Sequence, residues 1–168
     1  MDRIKSVIEY AMRMENDAKE FYSYNLERVE SPELKKLFEE LVEIEKSHFN
    51  MLHKVYEKMD ITPPPINISW VVDDVSREVN TSIIADNSEL VSDEKGISDL
   101  SVVRLAYLME SDFALFYQNA SEQVDEPEIK KALLELSEWE KQHQELFRVK
   151  YEHLLKKSWS DITSIIFK

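Results

Sequence analysis

Six residues with metal-binding side chains recur at a fixed spacing along this 168-residue chain. In each half, one glutamate is followed about 30 residues later by a Glu-x-x-His motif, and the second set lies 95 residues after the first. The six residues are Glu15, Glu45, His48, Glu110, Glu140 and His143. Positions i and i+3 share one face of a helix, so each motif can direct a carboxylate and an imidazole to the same ion. Four helices that carry this pattern are suited to two divalent metal ions.

The charge of this set also favours metal. Glu15 and Glu110 lie in the middle of apolar helical stripes, where a carboxylate is costly unless something neutralises it. Four ionised carboxylates carry a charge of about −4, which two divalent ions would balance. Several carboxylate oxygens and one imidazole per ion suit iron or manganese, with zinc also possible. The alternative is that these glutamates lie on solvated faces of amphipathic helices, but the repetition of the whole set argues against it.

An internal repeat supports the pairing of the two halves. Residues 31–48 and 126–143 are identical at 10 of 18 positions, and residues 10–22 and 105–117 at 6 of 13. The chain is therefore expected to contain two copies of a helical hairpin, related by an approximate two-fold axis.

The elements that would position these residues are four long helices, which hydrophobic periodicity predicts. They are expected over residues 3 to about 29, 32 to about 59, 99 to about 124 and 127 to about 157. Ser31 followed by Pro32 is typical of a helix start, and the three prolines at 63–65 end the second helix. The sequence thus predicts an all-α fold, in which residues 1–168 form a single four-helix-bundle domain.

Two segments fall outside this helical pattern. Residues 60–98 form a crossover long enough to travel the length of a bundle, with a weak extended pattern at 66–72. The amphipathic tail over 158–168 is expected either to pack back on the bundle or to contact a partner.

Composition excludes several other classes of protein. The formal charge of −13 repels nucleic acid and anionic membranes. There are no cysteines, which excludes disulfides, thiol catalysis and Cys-ligated metal. Neither a secretory signal nor an apolar run of membrane-spanning length is present, so a cytoplasmic location and no membrane partner are expected.

Other aromatic and imidazole side chains are also candidates for the site. Tyr22 and Tyr117 each lie seven residues past a repeated glutamate and face the same way. They are either ordinary core tyrosines, hydrogen-bond donors to carboxylates of the opposite hairpin, or redox-active phenols. His53 and His153 have no counterpart in the repeat and are interpreted as surface residues, and Trp139 as a packing residue.

Four motifs together resemble the rubrerythrin branch of the ferritin-like superfamily: MENDAKEFY, EIEKSH, MESDFALFY and EWEKQH. The resemblance covers residues 1–58 and 99–157. It implies a ferritin-like four-helix bundle with a central diiron site. One iron would be bound by Glu15, Glu45 and His48, and the other by Glu110, Glu140 and His143. Glu45 and Glu140 would bridge the two ions, and Tyr22 and Tyr117 match the family's tyrosines beside the ligands.

The chain departs from the family pattern in two ways. Full-length rubrerythrins carry a Cys₄ rubredoxin domain that supplies electrons, and this chain has no cysteine. Peroxide-reducing members also place an additional glutamate three residues after the third-helix ligand, where this chain has Phe113.

The resemblance implies a diiron redox protein that reacts with peroxide or O₂. Its electrons would come from an external donor, such as a separate rubredoxin-type protein, and the bundle is expected to form a homodimer. The alternative is non-catalytic binding of iron or another metal for storage, delivery or sensing. A third possibility is a site that serves only stability.

Overall fold

The computed structural model describes residues 2–59 and 99–166, which form four helices. These are α1 (Asp2–Leu26), α2 (Pro32–Glu57), α3 (Asp99–Glu122) and α4 (Pro127–Ile166). α1 packs along α2, and α3 packs along α4, so the chain is built from two helical hairpins. The predicted all-α, four-helix architecture is confirmed.

In both hairpins a proline is the first residue of the second helix. α2 begins at Pro32, and the Ser31 side chain caps it by accepting a hydrogen bond from the Leu34 amide. α4 likewise has a proline, Pro127, at its first position. Proline fits this position because its missing N–H would have no partner in the first turn of a helix.

A side chain at the start of α3 joins the second hairpin to the turn of the first. The two carboxylate oxygens of Asp99 accept hydrogen bonds from the backbone amides of Glu30 (2.7 Å) and Ser31 (2.9 Å). This contact fixes the beginning of α3 against the α1–α2 turn.

Aromatic side chains fill the core between the hairpins. Tyr22 of α1 stacks on Phe147 of α4, with ring centroids 5.9 Å apart, and both lie against Phe38 of α2. Tyr10 of α1 and Phe116 of α3 form a further ring contact, with centroids 5.1 Å apart. These rings hold the four helices around a buried interior.

The observed boundaries differ from the predicted ones at the end of α4. The helix continues to Ile166 instead of ending near Lys157, because the tail contains no Gly or Pro that would stop it. The crossover over 60–98, its extended pattern and the side-chain contacts of the tail beyond Ser160 lie outside the described residues. No helix in the described ranges is both long enough and apolar enough to cross a membrane.

Candidate metal centre

The six repeated residues lie together in the middle of the four helices. Each helix contributes one glutamate: Glu15 from α1, Glu45 from α2, Glu110 from α3 and Glu140 from α4, all fully buried. α2 and α4 also contribute His48 and His143, one turn after their glutamates. This burial follows from the repeat, which places each glutamate on the inward stripe of its helix.

His48 lies among three carboxylates from three helices. Its Nδ1 atom is 3.1 Å from Glu140 Oε1, 3.2 Å from Glu45 Oε2 and 3.4 Å from Glu15 Oε2. One ligand atom from each of these four residues lies within 4.8 Å of the others, which is close enough to surround one metal ion.

His143 is the centre of a second such group. Its Nδ1 atom is 3.1 Å from Glu140 Oε2, 3.4 Å from Glu110 Oε2 and 3.7 Å from Glu45 Oε1. The two groups share Glu45 and Glu140, and each of these carboxylates directs one oxygen to each group. Glu15 and Glu110 each belong to one group only.

The tyrosines complete the cluster from the opposite hairpin. The Tyr22 hydroxyl donates a hydrogen bond to Glu110 Oε1, and the Tyr117 hydroxyl donates one to Glu15 Oε1. Each bond occupies one oxygen of its glutamate and leaves Oε2 directed towards the imidazoles. The cluster therefore keeps the two-fold relation of the sequence repeat.

Comparison with known proteins gives a family. The Rubrerythrin family matches residues 6–151, which is most of the chain.

The chain belongs to the rubrerythrin family.

A solved structure of a hypothetical protein from Pyrococcus furiosus is similar over 91% of this chain and 90% of its own, with a TM-score of 0.63 and 24% identity. At that identity the likeness shows the fold alone. No curated protein matches the chain significantly.

Several buried atoms of this rubrerythrin-family cluster lack a hydrogen-bond partner. Within the described residues, all such side-chain atoms but one, Oε2 of Glu126, belong to the cluster. They are Glu15 Oε2, Glu45 Oε1 and Oε2, His48 Nδ1, Glu110 Oε2 and Glu140 Oε1. His48 Nδ1 is near three carboxylate oxygens, but forms no hydrogen bond with them. Buried polar atoms normally have a partner, and these converge on two points, so the donor set fits two metal ions.

Burial and mutual repulsion change the pKa values of the carboxylates in the cluster. Burial raises the pKa of Glu110 to about 8 and that of Glu45 well above its ordinary value. Burial acts in the same direction on Glu140, but the nearby imidazoles of His143 and His48 outweigh it and lower the pKa of Glu140 to about 2. Without metal, the cluster would therefore retain protons that isolated carboxylates lose.

The pKa values of the two imidazoles are raised as well. Burial alone would lower the pKa of His48, but the carboxylates of Glu140, Glu15 and Glu45 reverse this and raise it to about 12. Burial and carboxylates also oppose each other at His143, where Glu110 and Glu140 raise the pKa to about 10. Imidazolium ions thus neutralise part of the buried negative charge when no metal does so.

The positions one turn after Glu15 and Glu110 are apolar in this rubrerythrin-family site. Phe113 follows Glu110 by one turn and is buried, and its counterpart after Glu15 is buried Ala18. Neither position offers a further carboxylate. The described part of the chain therefore presents four glutamates and two histidines at this site, without an additional acidic ligand on either side.

Trp139 is closer to the site than the sequence indicated. Its ring stacks on His48 with centroids 5.1 Å apart and 9° between the planes, so it packs against a candidate ligand of the other hairpin. The signal available in the sequence was its position one turn before His143 on α4. His53 stacks instead on Phe49 and pairs with Glu57 at 3.7 Å, away from the cluster, and His153 is exposed.

Proposed function

We propose that this rubrerythrin-family chain is a diiron-carboxylate redox protein that reacts with peroxide or O₂ and is re-reduced by an external electron donor. The observation that carries the proposal is the pair of overlapping ligand groups that share Glu45 and Glu140. Members of the family usually bind iron, and oxygen-rich sites with one imidazole per ion suit it.

The proposed ligand assignment follows the two groups. One iron would be held by Glu15, Glu45 and His48, and the other by Glu110, Glu140 and His143. Glu45 and Glu140 would bridge the ions, because each directs one oxygen to each group. Glu15 and Glu110 would be terminal ligands through Oε2, since a tyrosine occupies Oε1 of each.

Iron held by these glutamates and histidines would supply the electrons for the reduction of peroxide or O₂. The protein's own side chains provide a buried environment for this chemistry. The four carboxylates are buried from bulk water, which strengthens their interaction with cations. Burial, and then the nearby carboxylates, raise the pKa of Tyr22 and Tyr117 well above its ordinary value. These phenols therefore keep their protons and hold Glu110 and Glu15 in a fixed orientation.

The proposal is tested by loading metal-free protein with Fe²⁺ under anaerobic conditions and then adding peroxide or O₂. We expect two ferrous ions per chain and the appearance of ferric absorbance with either oxidant. Glu45→Gln should reduce both binding and oxidation, because it removes a shared ligand. Glu39→Gln is the matched control, since it makes the same chemical change on the exposed face of α2. Iron-loaded protein that stays ferrous in both oxidants would contradict the redox proposal.

A second candidate function is non-catalytic metal binding for storage, delivery or sensing. Phe113 favours it, because this position lacks the carboxylate found in peroxide-reducing relatives. Exchange of bound iron for Mn²⁺ or Zn²⁺ without oxidation in the same experiment would support this candidate. The electron donor and a homodimeric assembly are part of the first proposal, and reduction of the ferric protein by a rubredoxin-type protein would test the donor.

A further inference from the structure

The cluster touches solvent only through its imidazoles. All four carboxylates and both tyrosine side chains of the site are completely buried. The His48 side chain is 5% exposed, whereas that of His143 is 13% exposed. Among the described residues of the cluster, the two imidazoles are therefore the parts nearest to solvent.

The rings beside these imidazoles form a stack. His48 of α2 stacks on both Trp139 and His143, which are one turn apart on α4. Its ring centroid is 5.1 Å from Trp139 and 5.9 Å from His143, with interplanar angles of 9° and 20°. The indole thus covers part of one face of His48, and Trp139 itself is 37% exposed to solvent.

The sequence repeat does not reproduce this cover at the other end. The residue that corresponds to Trp139 in the first hairpin is Ile44, one turn before His48 on α2. From the two-fold relation we expect Ile44 to lie beside His143, as Trp139 lies beside His48. Isoleucine is smaller and lacks a flat ring, so it leaves more of an imidazole uncovered than an indole does. The greater exposure of His143 agrees with this difference.

We propose that metal ions and the small oxidant reach the cluster at the His143 end, beside Ile44, and that Trp139 closes the His48 end. This inference rests on the proposed metal site but does not depend on its redox chemistry. Ile44 and Trp139 would control access to the site, and neither supplies a ligand atom.

The test uses zinc-loaded protein, which is redox-inert, and dissolved O₂ as a paramagnetic probe in NMR. In the unsubstituted protein, O₂ should relax the His143 ring proton more than that of His48, in the order of their exposed fractions. Trp139→Ile should increase the effect at His48 to that at His143, and Ile44→Trp should reduce the effect at His143 to that at His48. Val149→Ala, an exposed apolar change elsewhere on α4, should alter neither.

The rate of Co²⁺ uptake by metal-free protein gives a second measurement. We expect Ile44→Trp to slow uptake and Trp139→Ile to accelerate it. Equal O₂ effects at the two histidines of the unsubstituted protein would overturn the proposal, as would uptake rates that neither substitution changes. If Ile44→Trp does not fold, Trp139→Ile decides alone. Failure to bind zinc at all would instead overturn the proposed metal site.

Discussion

At the scale of single residues, the cluster depends on how each buried carboxylate divides its two oxygens. Glu15 and Glu110 each give one oxygen to a tyrosine of the opposite hairpin, and the other faces an imidazole. Glu45 and Glu140 direct both oxygens into the cluster. Glu15 and Glu110 can therefore each offer one oxygen to a metal ion, whereas Glu45 and Glu140 can each offer two.

Replacement of a site tyrosine should destabilise the protein without changing its helices. Tyr117→Phe leaves Glu15 Oε1 buried without a donor, which should lower the free energy of unfolding by about 1–3 kcal/mol. Urea unfolding of the metal-free protein measures this. Tyr10→Phe is the control, because the described structure shows a ring contact but no hydrogen bond for that phenol. Equal effects of the two substitutions would remove the structural role assigned to the Tyr117 hydroxyl.

The stability of the metal-free protein should fall as the pH rises. The pKa values of His48 and His143 are raised to about 12 and about 10, so the folded state keeps protons that the unfolded state loses above about pH 6.5. The contribution of these two histidines to the free energy of unfolding is complete below about pH 6.5 and is lost towards pH 10–12. The raised pKa of Glu110, about 8, acts in the same direction. Urea unfolding at pH 6.5, 8 and 9.5 measures the trend.

Metal binding should show the opposite dependence on pH. The ligands must release their protons before they can bind an ion, so metal affinity should rise as the pH increases. Titration with Zn²⁺ in two buffers of different ionisation enthalpy would count the released protons. Metal-free stability that increases above pH 6.5, or zinc binding without proton release, would contradict the electrostatic account of the cluster.

At the scale of elements, the two hairpins are joined by one polar contact as well as by the core. Asp99 at the start of α3 accepts hydrogen bonds from two amides in the α1–α2 turn. Asp99→Ala should lower the free energy of unfolding by about 1–2 kcal/mol, because those amides lose a charged acceptor. Thermal unfolding compares this variant with Asp17→Ala, an exposed aspartate in α1. Matching stabilities would mean that the core alone sets the position of α3.

The elements also show what the sequence could predict. Periodicity predicted all four helices and Ser31-Pro32 predicted the start of the second, because each signal is local to its own helix. The continuation of α4 to Ile166 was missed, since the tail has no residue that either requires or forbids a helix. The Asp99 contact was also missed, because it joins segments 68 residues apart and depends on how the hairpins pack.

At the scale of the whole molecule, the repeat explains why six residues could be selected from one sequence. The 95-residue spacing identified the same positions in both hairpins, and the structure brings their side chains together. The stacking of Trp139 on His48 could not be predicted, because it depends on the rotation of α4 relative to α2. Trp139 and Ile44 occupy equivalent positions, so the repeat indicated symmetry where the side chains differ.

Symmetry at this scale gives a further prediction. Glu15→Gln and Glu110→Gln remove equivalent terminal ligands, so each should weaken Fe²⁺ binding by a similar factor while the other half keeps its ligands. Anaerobic titration of the two variants compares the losses. If one substitution abolishes binding and the other has no effect, the two halves do not act as equivalent metal sites.

The central claim is that two metal ions share Glu45 and Glu140 in one buried cluster. X-ray absorption at the iron edge of the iron-loaded protein tests it most directly. The account predicts iron–iron scattering at about 3.5–4 Å, as in other two-metal sites, with its loss in Glu45→Gln. Iron that is bound without a second iron as neighbour, or a signal unchanged in Glu45→Gln, would contradict it.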